Sequence, residues 1–427
     1  MIVRALTALL LLVPLAAADT LHVPQDFATI QAAVDASADG DTIVVHKGTY
    51  AEAVVVTGKT GLLISGSGKP LIDGTGAEDA LALVGCSNVE VRGLRLTGGS
   101  VSDLHVTDGQ QLELHHCSIG EAAQIAIFIE DSSEVQVHHN TLVGAGVGWP
   151  EAGVRAGDSD HVSVEHNTIS FFIDGVRFFS DSAPGAGADD STIAHNVIHD
   201  LWHAGIEAYG TGLQIEQNKI TDSGEDGIWL DADDATLAHN KVSQVGDTGI
   251  LVFDGAGNVI DHNTVSKAAF HGISSSATAT GTALTGNKVT SSGSTASLSL
   301  EGTGCSSDQD KVSKPQGVGL VLSGTGGSVT GLRIKKPAGV GIELSGGGNT
   351  FSDARVSHAG EDGFQVTGDG NTLADCRAMG SDEDGFDVSG ASNAFSTCMA
   401  KGSGTLDKND GGADNTFTDC EFGTESP

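Results

Sequence analysis

The chain has 427 residues, a formal net charge of −35 and only 4% aromatic residues. So acidic a protein repels nucleic acid and anionic lipid, and it repels acidic polymers unless calcium or local arginines bridge the two. With 60 glycines, 8 prolines and apolar periodicity throughout, the sequence predicts many tight turns rather than a disordered tail.

Residues 1–18 have the features of a secretory signal peptide. Arg4 precedes an apolar run at 5–15, and three alanines at 16–18 offer a cleavage site. The run is too short to span a bilayer, and no later stretch is long enough. We therefore expect a secreted or periplasmic protein without membrane insertion, whose mature domain is 19–427.

Residues 19–50 are predicted to form an N-terminal cap and the first strands. Asp26 is placed to cap a short helix that carries Phe27, Ile30 and Val34 on one face, with Gly40 just beyond its end. Such a helix covers strand edges that would otherwise pair with another chain.

A repeat of about 22 residues runs from Leu94 to Cys420. It is clearest where alternating apolar residues flank an Asn, as in VQVHHNTL at 135–142 and VSVEHNTI at 162–169. A second phrase, Gly-apolar-x-apolar, follows in each unit, as in GIWL at 227–230. The aligned position, which we call the ladder position, is occupied by Leu94, Cys117, Asn140, Asn167, Asn196, Asn218, Asn240, Asn263, Asn287, Asp310, Leu332, Ala354, Cys376, Cys398 and Cys420.

This pattern is typical of a coil of short strands. Period-2 apolar alternation broken by Gly, Asn and Asp indicates strands, and each unit forms one rung that stacks on the next at about 4.8 Å. No rung buries its inward face alone, so the stack shares one core. The ladder Asn is predicted to adopt a left-handed backbone conformation in a turn and to hydrogen-bond the Asn above and below, a structural role.

With these repeats, the chain resembles the right-handed parallel β-helix proteins of the pectin-lyase-like superfamily, over nearly all of 19–427. The resemblance implies an all-β fold: a single-stranded right-handed parallel β-helix solenoid of about 15 or more rungs, regular over 94–422, with a short N-terminal capping helix. Residues 19–50 also resemble the usual opening of bacterial members. The superfamily includes pectate lyases, polygalacturonases, pectin esterases, alginate epimerases, phage tailspikes and proteins with no known chemistry, so it implies a polysaccharide partner without selecting a reaction.

Six cysteines in an exported chain raise the question of disulfides. Cys376, Cys398 and Cys420 occupy the ladder position in consecutive rungs, where small buried thiols stack well. We favour inert stacked thiols, although rung spacing also allows a bridge between neighbours. No separate cap follows Cys420, and we expect that the last rung is either covered by a partner chain in an oligomer or protected by Glu421 and Glu425.

The repeat is interrupted between Asn140 and Asn196, where two adjacent steps lengthen to 27 and 29 residues. Insertions in solenoids fall in turns on one face and often build a binding surface. All three tryptophans, Trp149, Trp202 and Trp229, occur in or near this region. The crowding of aromatic residues in a chain that has so few of them indicates a functional surface.

Strand alternation predicts which side chains point outward. One row is Phe128, Arg155, Arg177, Glu207, Trp229, Leu251 and Ser274, and a second row is Gly157, Phe179, Tyr209, Asp231 and Phe253. Aromatic rings stack on the apolar faces of sugars, and charges fix hydroxyls or carboxylates. We therefore predict a polysaccharide-binding groove, the alternative being that these aromatics only shield the sheet.

Two kinds of chemistry fit these residues. A glycoside hydrolase needs two carboxylates about 5 Å or about 6.5–9.5 Å apart, and Glu207 and Asp231 lie one rung apart on a diagonal. A lyase needs a strong base, for which Arg155 or Arg177 has the right type. Candidate catalytic residues are Arg177, Glu207 and Asp231; candidate substrate-binding residues are Trp149, Arg155, Phe179, Trp202, His203, Tyr209, Trp229 and Phe253.

The sequence leaves the metal open. Asp231, Asp233 and Asp234 offer oxygen ligands for calcium, but their spacing is not that of a dedicated calcium loop. His203 and His271 are the histidines nearest the groove, and most others precede the ladder Asn and are interpreted as features of the repeat. Asp226, in an EDG turn that recurs at 361–363 and 383–385, is interpreted as structural.

No specific enzyme motif set is complete. HG at 271–272 and RIK at 333–335 match fragments of the polygalacturonase motifs, but NTD is absent and we interpret the match as accidental. The sequence thus predicts an exported polysaccharide-binding β-helix, acting either as a lyase or hydrolase around 149–253 or as a non-catalytic cell-surface or matrix protein.

Overall fold

The computed structural model of the chain describes residues 18–122, 124–145, 148, 150–179 and 187–424. The predicted signal peptide lies almost wholly outside these residues and stays a prediction. The described chain winds through three parallel sheets, and each turn adds one strand to the first, then the second, then the third sheet. Within the described ranges no helix is long and apolar enough to cross a bilayer.

The first sheet has 18 strands among the described residues, which confirms the prediction of about 15 or more rungs. Its strands are Thr20–Val23, Thr42–His46, Leu63–Ser67, Glu90–Arg92, Gln110–His115, Ser133–His138, Ser163–Glu165, Thr192–Ala194, Gln214–Glu216, Thr236–Ala238, Val259–Asp261, Ala283–Thr285, Ser306–Asp308, Ser328–Thr330, Thr350–Ser352, Thr372–Ala374, Ala394–Ser396 and Thr416–Thr418.

The second sheet follows the turn that contains the ladder position. Its strands are Thr49–Tyr50, Leu71–Asp73, Arg95–Thr97, Ser118–Ala122, Thr141–Gly144, Thr168–Ser170, Val197–Leu201, Lys219–Ser223, Lys241–Val245, Thr264–Ala268, Lys288–Thr290, Lys311–Ser313, Arg333–Lys335, Arg355–Ser357, Arg377–Met379, Met399–Lys401 and Glu421–Phe422.

The third sheet contains the Gly-apolar-x-apolar phrases. Its strands are Val54–Thr57, Asp79–Val84, Ser102–Thr107, Ile125–Glu130, Ala152–Gly157, Asp174–Phe179, Ile206–Thr211, Ile228–Asp233, Ile250–Asp254, His271–Ser275, Ala296–Leu300, Val318–Leu322, Ile342–Leu344, Phe364–Val366, Phe386–Val388 and Lys408–Asp410.

One continuous apolar core fills the coil. Inward residues stack on their equivalents one rung away, as Ile206 pairs with Ile228 and Ile228 with Ile250. Near the C-terminal end the core becomes aromatic, and the rings of Phe364 and Phe386 stack with centroids 4.6 Å apart. Because every rung lends apolar surface to the next, residues about 22 apart in sequence become vertical neighbours.

The short N-terminal helix is Ile30–Ala36, and it buries Ile30, Ala33 and Val34. The predicted cap was wrong: the Thr29 side chain, not Asp26, accepts from the helix backbone, at Ala32 N. Asp26 instead accepts a 2.9 Å hydrogen bond from His22 N. The first two backbone N–H groups of the helix, at Ile30 and Gln31, donate to the carboxylate of Glu52, which satisfies donors that the Thr29 cap leaves free.

The Asn ladder is confirmed as a hydrogen-bonded column. The backbone N and the side-chain Nδ2 of Asn140 donate to Asn167 Oδ1 at 2.9 and 3.1 Å, and Nδ2 also donates to Leu114 O. The left-handed conformation, however, belongs to the preceding residue, such as His139 with φ 56° and His166 with φ 56°. The bend comes one residue early because the Asn side chain must turn inward between rungs, where it is buried.

A second ladder was not predicted. In the turn from the third to the first sheet, Asn349, Asn371 and Asn393 each donate their backbone N–H to Oδ1 of the next Asn at 2.8 Å, ending on Asn415. The sequence signal is an Asn five residues before the ladder position of each rung, in GGGNT, GDGNT, GASNA and GADNT. The six cysteines are free thiols, five of them buried, which agrees with the stacked-thiol interpretation.

Candidate functional site

Strand pairing confirms the predicted order of the row on the third sheet, although two of its members, Glu207 and Ser274, are buried. Strand register places Phe128 beside Arg155, Arg155 beside Arg177, Arg177 beside Glu207, Glu207 beside Trp229 and Trp229 beside Leu251. We call this row, with the outward residues two positions further along the same strands, the wall. Its members lie on one side of the coil because the period of two fixes their face.

The second row of the wall departs from the prediction at one end. Gly157 pairs with Phe179 and Tyr209 with Asp231 as expected. Beyond Leu230 the register shifts, so Asp231 pairs with Asp254 rather than with Phe253. An irregularity of this kind adds one residue to one strand and cannot be seen in an alternating apolar pattern.

Three aromatic rings nevertheless form a continuous run on the wall. The centroid of Trp229 lies 4.9 Å from that of Tyr209 and 5.1 Å from that of Phe253. Phe253 is 49% exposed, and Tyr209 and Trp229 are half-buried. Rings at rung spacing form a continuous aromatic surface on this side of the sheet.

The two arginines of the wall are held flat against aromatic rings. The guanidinium carbon of Arg155 lies 4.6 Å from the Phe179 centroid and that of Arg177 lies 4.8 Å from it. Both side chains also reach Oε1 of Glu151, at 3.2 and 3.3 Å. These contacts fix the position of two positive charges in an acidic protein.

A cluster of buried ionisable groups adjoins the arginines. Asp174, at the start of its strand, accepts a 2.7 Å hydrogen bond from His203 Nδ1 and a 3.1 Å bond from Ala204 N. His203 Nε2 lies 3.3 Å from Glu225 Oε2. The hydrogen bond with Asp174, reinforced by nearby negative charge, raises the pKa of His203 to about 9, so this histidine is cationic at neutral pH.

Glu207 occupies the centre of this cluster and is 7% exposed. Its Oε2 lies 3.1 Å from Arg177 Nε, and its Oε1 accepts a 3.3 Å hydrogen bond from the Tyr209 hydroxyl. Burial and then the charge of Asp174 raise the pKa of Glu207, against the opposing effect of Arg177. Burial and Glu207 in turn raise the pKa of Tyr209 to about 12.

Asp174 was missed by the sequence analysis, as were Glu151 and Glu225. The available signal was the Asp before the Gly-apolar phrase in DGVRF, but the same position is acidic in EDG turns far from the wall. In those distant turns it is structural, since Asp362 Oδ1 accepts from Asp384 N, and Asp226, in the EDG turn beside the wall, accepts from Thr248 N in the same way. Only the neighbours distinguish Asp174 from these residues.

The remaining predicted residues lie at the margin of the site. Trp202 is 56% exposed in the turn beside His203, not on the wall. Trp149 lies outside the described residues. Asp231 faces the wall, and burial followed by Asp254 and Asp233 raises its pKa. The Asp233 carboxylate accepts a 2.7 Å bond from Ala256 N.

The predicted calcium ligands are not brought together. In the part of the chain that the structure describes, the groups of three close enough to share an ion are Asp174, His203 and Glu207, and Glu113, His115 and His138. Calcium therefore stays a prediction. The polygalacturonase fragments also separate, because His271 begins a third-sheet strand and Arg333–Lys335 is in the second sheet, which supports an accidental match.

A family model described as the right-handed β-helix region matches residues 36–170, 152–331 and 316–424. The chain belongs to the right-handed β-helix family. This match confirms the hand and the class of fold implied by the repeat. No curated protein matches this β-helix by sequence.

Solved structures share the fold of this β-helix at low identity. The A-module of the mannuronan C-5 epimerase AlgE4 from Azotobacter vinelandii is 16% identical, with a TM-score of 0.55 over 70% of this chain and 94% of that one. The Dettilon tailspike protein is 14% identical, with a TM-score of 0.51 over 73% of this chain and 66% of that one. At such identities the likeness extends to the fold alone.

Proposed function

We propose that this β-helix acts outside the cytoplasm, binds a polysaccharide along the wall and hydrolyses it, with Glu207 as the proton donor. One observation carries the proposal: Trp229, the middle ring of the aromatic run, is the register partner of Glu207, the buried carboxyl of the ionisable cluster. A ligand that lies on the rings therefore meets an acid. The name of AlgE4, a mannuronan C-5 epimerase, says that it acts on a polysaccharide, which is the class of ligand proposed for this β-helix.

The wall suits a sugar chain in shape and chemistry. Tyr209, Trp229 and Phe253 form a row of aromatic side chains at the spacing of the rungs, and the apolar sides of pyranose rings pack on aromatic side chains. Arg155 and Arg177 add donors for hydroxyls or carboxylates. They also give this strongly acidic protein a local positive charge where an acidic glycan would otherwise be repelled.

Hydrolysis requires a carboxyl that stays protonated near neutral pH, and burial raises the pKa of Glu207 in that direction. Asp231 offers a second carboxylate. It lies on the next strand, two residues beyond Trp229, and it is the register partner of Tyr209. Diagonal neighbours on one sheet face lie roughly 7–8 Å apart, with their Cβ atoms somewhat closer. Carboxyl groups that extend from two such positions can reach the separation of about 6.5–9.5 Å that inverting glycosidases use.

Elimination by a lyase is less well supported, because the described tyrosine, histidine and arginine around Glu207 offer no free base near neutral pH. Tyr209, with a pKa of about 12, and His203, with a pKa of about 9, both stay protonated. Arg177 is ion-paired with Glu151 and Glu207. The tyrosine and the histidine are therefore proton donors, and they contact the carboxyl groups of Glu207 and Asp174.

A non-catalytic glycan-binding protein is the second candidate. The low exposure of Glu207 and its ion pair with Arg177 are also what a structural ion pair under a binding surface requires. In that case the aromatic run alone carries the function, as in a cell-surface or matrix component. Association through the last rung, Glu421–Phe422, stays a prediction.

A panel of neutral and acidic polysaccharides tests the proposal, with new reducing ends and unsaturated-uronate absorbance measured in parallel. We expect reducing ends without unsaturated products, and loss of turnover by at least about 100-fold in Glu207→Gln and Asp231→Asn. Binding without turnover favours the second candidate. Unsaturated products would overturn hydrolysis in favour of elimination.

A further inference from the structure

A column of histidines runs along the edge between the first and second sheets, far from the wall. His115 and His138 end adjacent first-sheet strands, pair in register, and stack with centroids 4.8 Å apart. His116 and His139, in the following turn, stack at 5.1 Å, and the column continues to His166 at 4.9 Å. The sequence analysis interpreted these residues as features of the repeat.

Carboxylates face the outer nitrogens of this column. Glu113 Oε1 lies 2.9 Å from His138 Nε2 and 3.8 Å from His115 Nε2. Glu90 Oε1 lies 3.0 Å from His115 Nε2, but it is also paired with Arg92 at 2.8 Å. Glu113 is therefore the carboxylate whose charge the two imidazoles share.

The inner nitrogens are already engaged. His115 Nδ1 lies 2.7 Å from His116 Nδ1, and His138 Nδ1 lies 2.9 Å from His139 Nδ1. When His115 and His138 donate these hydrogen bonds as neutral rings, each Nε2 carries a lone pair directed at a carboxylate oxygen. In that tautomer the facing acceptors repel one another unless a cation lies between them, whereas in the other neutral tautomer each Nε2–H donates to the carboxylate.

The spacing fits a metal ion. Metal–nitrogen and metal–oxygen bonds of about 2.0–2.2 Å at tetrahedral angles place ligand atoms about 3.3 Å apart. The distances from Glu113 Oε1 to the Nε2 atoms of His138 and His115, 2.9 and 3.8 Å, lie on either side of that value. The donated Nδ1–H groups supply the outer hydrogen bonds that metal-bound histidines usually make.

We propose that Glu113, His115 and His138 bind one divalent transition-metal ion of the Zn²⁺ type, with the remaining position open to water. Two imidazoles and one carboxylate favour such ions over calcium or magnesium, which prefer oxygen ligands. The Glu113 side chain is 44% exposed, and a shallow concavity lined by Glu90, Glu113 and Gln136 gives an ion access. The proposal is independent of the chemistry on the wall.

Calorimetric titration of the untagged, EDTA-treated protein with zinc chloride at about pH 7.5 tests this site, because neutral imidazole is needed for binding. We expect one equivalent to bind. Glu113→Gln and His138→Gln should each weaken the dissociation constant by at least about 10-fold, and His139→Ala, which removes an outer hydrogen bond, by about 10-fold.

His262→Ala is the matched control. His262 stacks with His239 in the same column position further along, yet it belongs to no group of three ligands among the described residues. The His262→Ala variant should bind zinc with the same affinity as the unaltered protein. Absence of a saturable equivalent, or unchanged affinity in His138→Gln and Glu113→Gln, would overturn the site. Melting curves in metal-free buffer show whether each variant is folded. Glu113→Gln is the variant least prone to misfold, because the Glu113 side chain is 44% exposed.

Discussion

The Nε atom of Arg177 lies 3.1 Å from Oε2 of Glu207, across adjacent strands of the third sheet. The positive charge lowers the pKa of Glu207, while burial and the charge of Asp174 raise it. The net shift is upward, so the glutamate stays a proton donor at higher pH than an exposed one. The acidity of Glu207 thus depends on a balance between burial and Asp174, which raise its pKa, and Arg177 and His203, which lower it.

Replacing Arg177 by Gln should raise the pKa of Glu207 further, since the stabilising charge is lost. If Glu207 is the acid, the alkaline limb of the pH–rate profile for hydrolysis moves to higher pH by about one unit. Arg333→Gln, which removes an arginine paired with Asp353 on the second sheet, serves as the control. A limb that stays in place would show that Glu207 is not the titrating acid.

Trp229→Ala should weaken polysaccharide binding about 10-fold, because one stacking face is lost and the contacts to Tyr209 and Phe253 are broken. Affinity electrophoresis in gels containing the polysaccharide measures the change. Phe270→Ala, which removes an exposed ring that is not part of the aromatic run, should bind normally. Equal loss in both variants would argue against a defined groove.

Asp310→Asn should stabilise the protein at neutral pH. Asp310 ends the Asn ladder, where its Oδ1 accepts from Asn287 N and Nδ2, and burial raises its pKa to about 6. Because the folded state holds this proton more tightly than the unfolded state does, stability falls as pH rises from about 4 to about 6. The amide lacks that penalty, so we expect a gain of about 1–3 kcal/mol at pH 7.

Denaturant unfolding at several pH values measures the effect of Asp310→Asn. The difference from the unaltered protein should shrink towards about pH 4, where the aspartate is protonated in both states. Glu343→Gln, at an outward third-sheet position, is the control. A difference that does not change with pH would contradict the role assigned to the buried charge.

Asn218→Ala should destabilise the coil by about 3 kcal/mol. The backbone N and Nδ2 of Asn196 both donate to Asn218 Oδ1 at 3.0 Å and would be left buried without an acceptor. Lys219→Ala, at the next and exposed position, should change stability by less than about 0.5 kcal/mol. Equal stability of the two variants in urea would show that the ladder is dispensable.

Much of the fold could be predicted because the repeat encodes it locally. The spacing of the ladder residues gives the rung length, and the period of two gives the face of Arg155, Arg177, Glu207 and Trp229 once rungs stack in register. The errors came from single-residue events. The register shift after Leu230 pairs Asp231 with Asp254 in place of Phe253. At the N-terminal helix, backbone donors that Asp26 was expected to cap are satisfied by Glu52, which is distant in sequence.

The sequence by itself determined the stacking of rungs and the order of residues along the wall, because both follow from a repeated pattern of apolar and turn residues. Only the tertiary structure decided the ionisation of that wall and the partners of its charges. Asp174 comes from one rung and His203 and Glu207 from the next, and a pKa depends on burial and on charges a few ångströms away, neither of which a linear spacing encodes. The same reason separates the histidines beside Glu113 from those that only complete a turn.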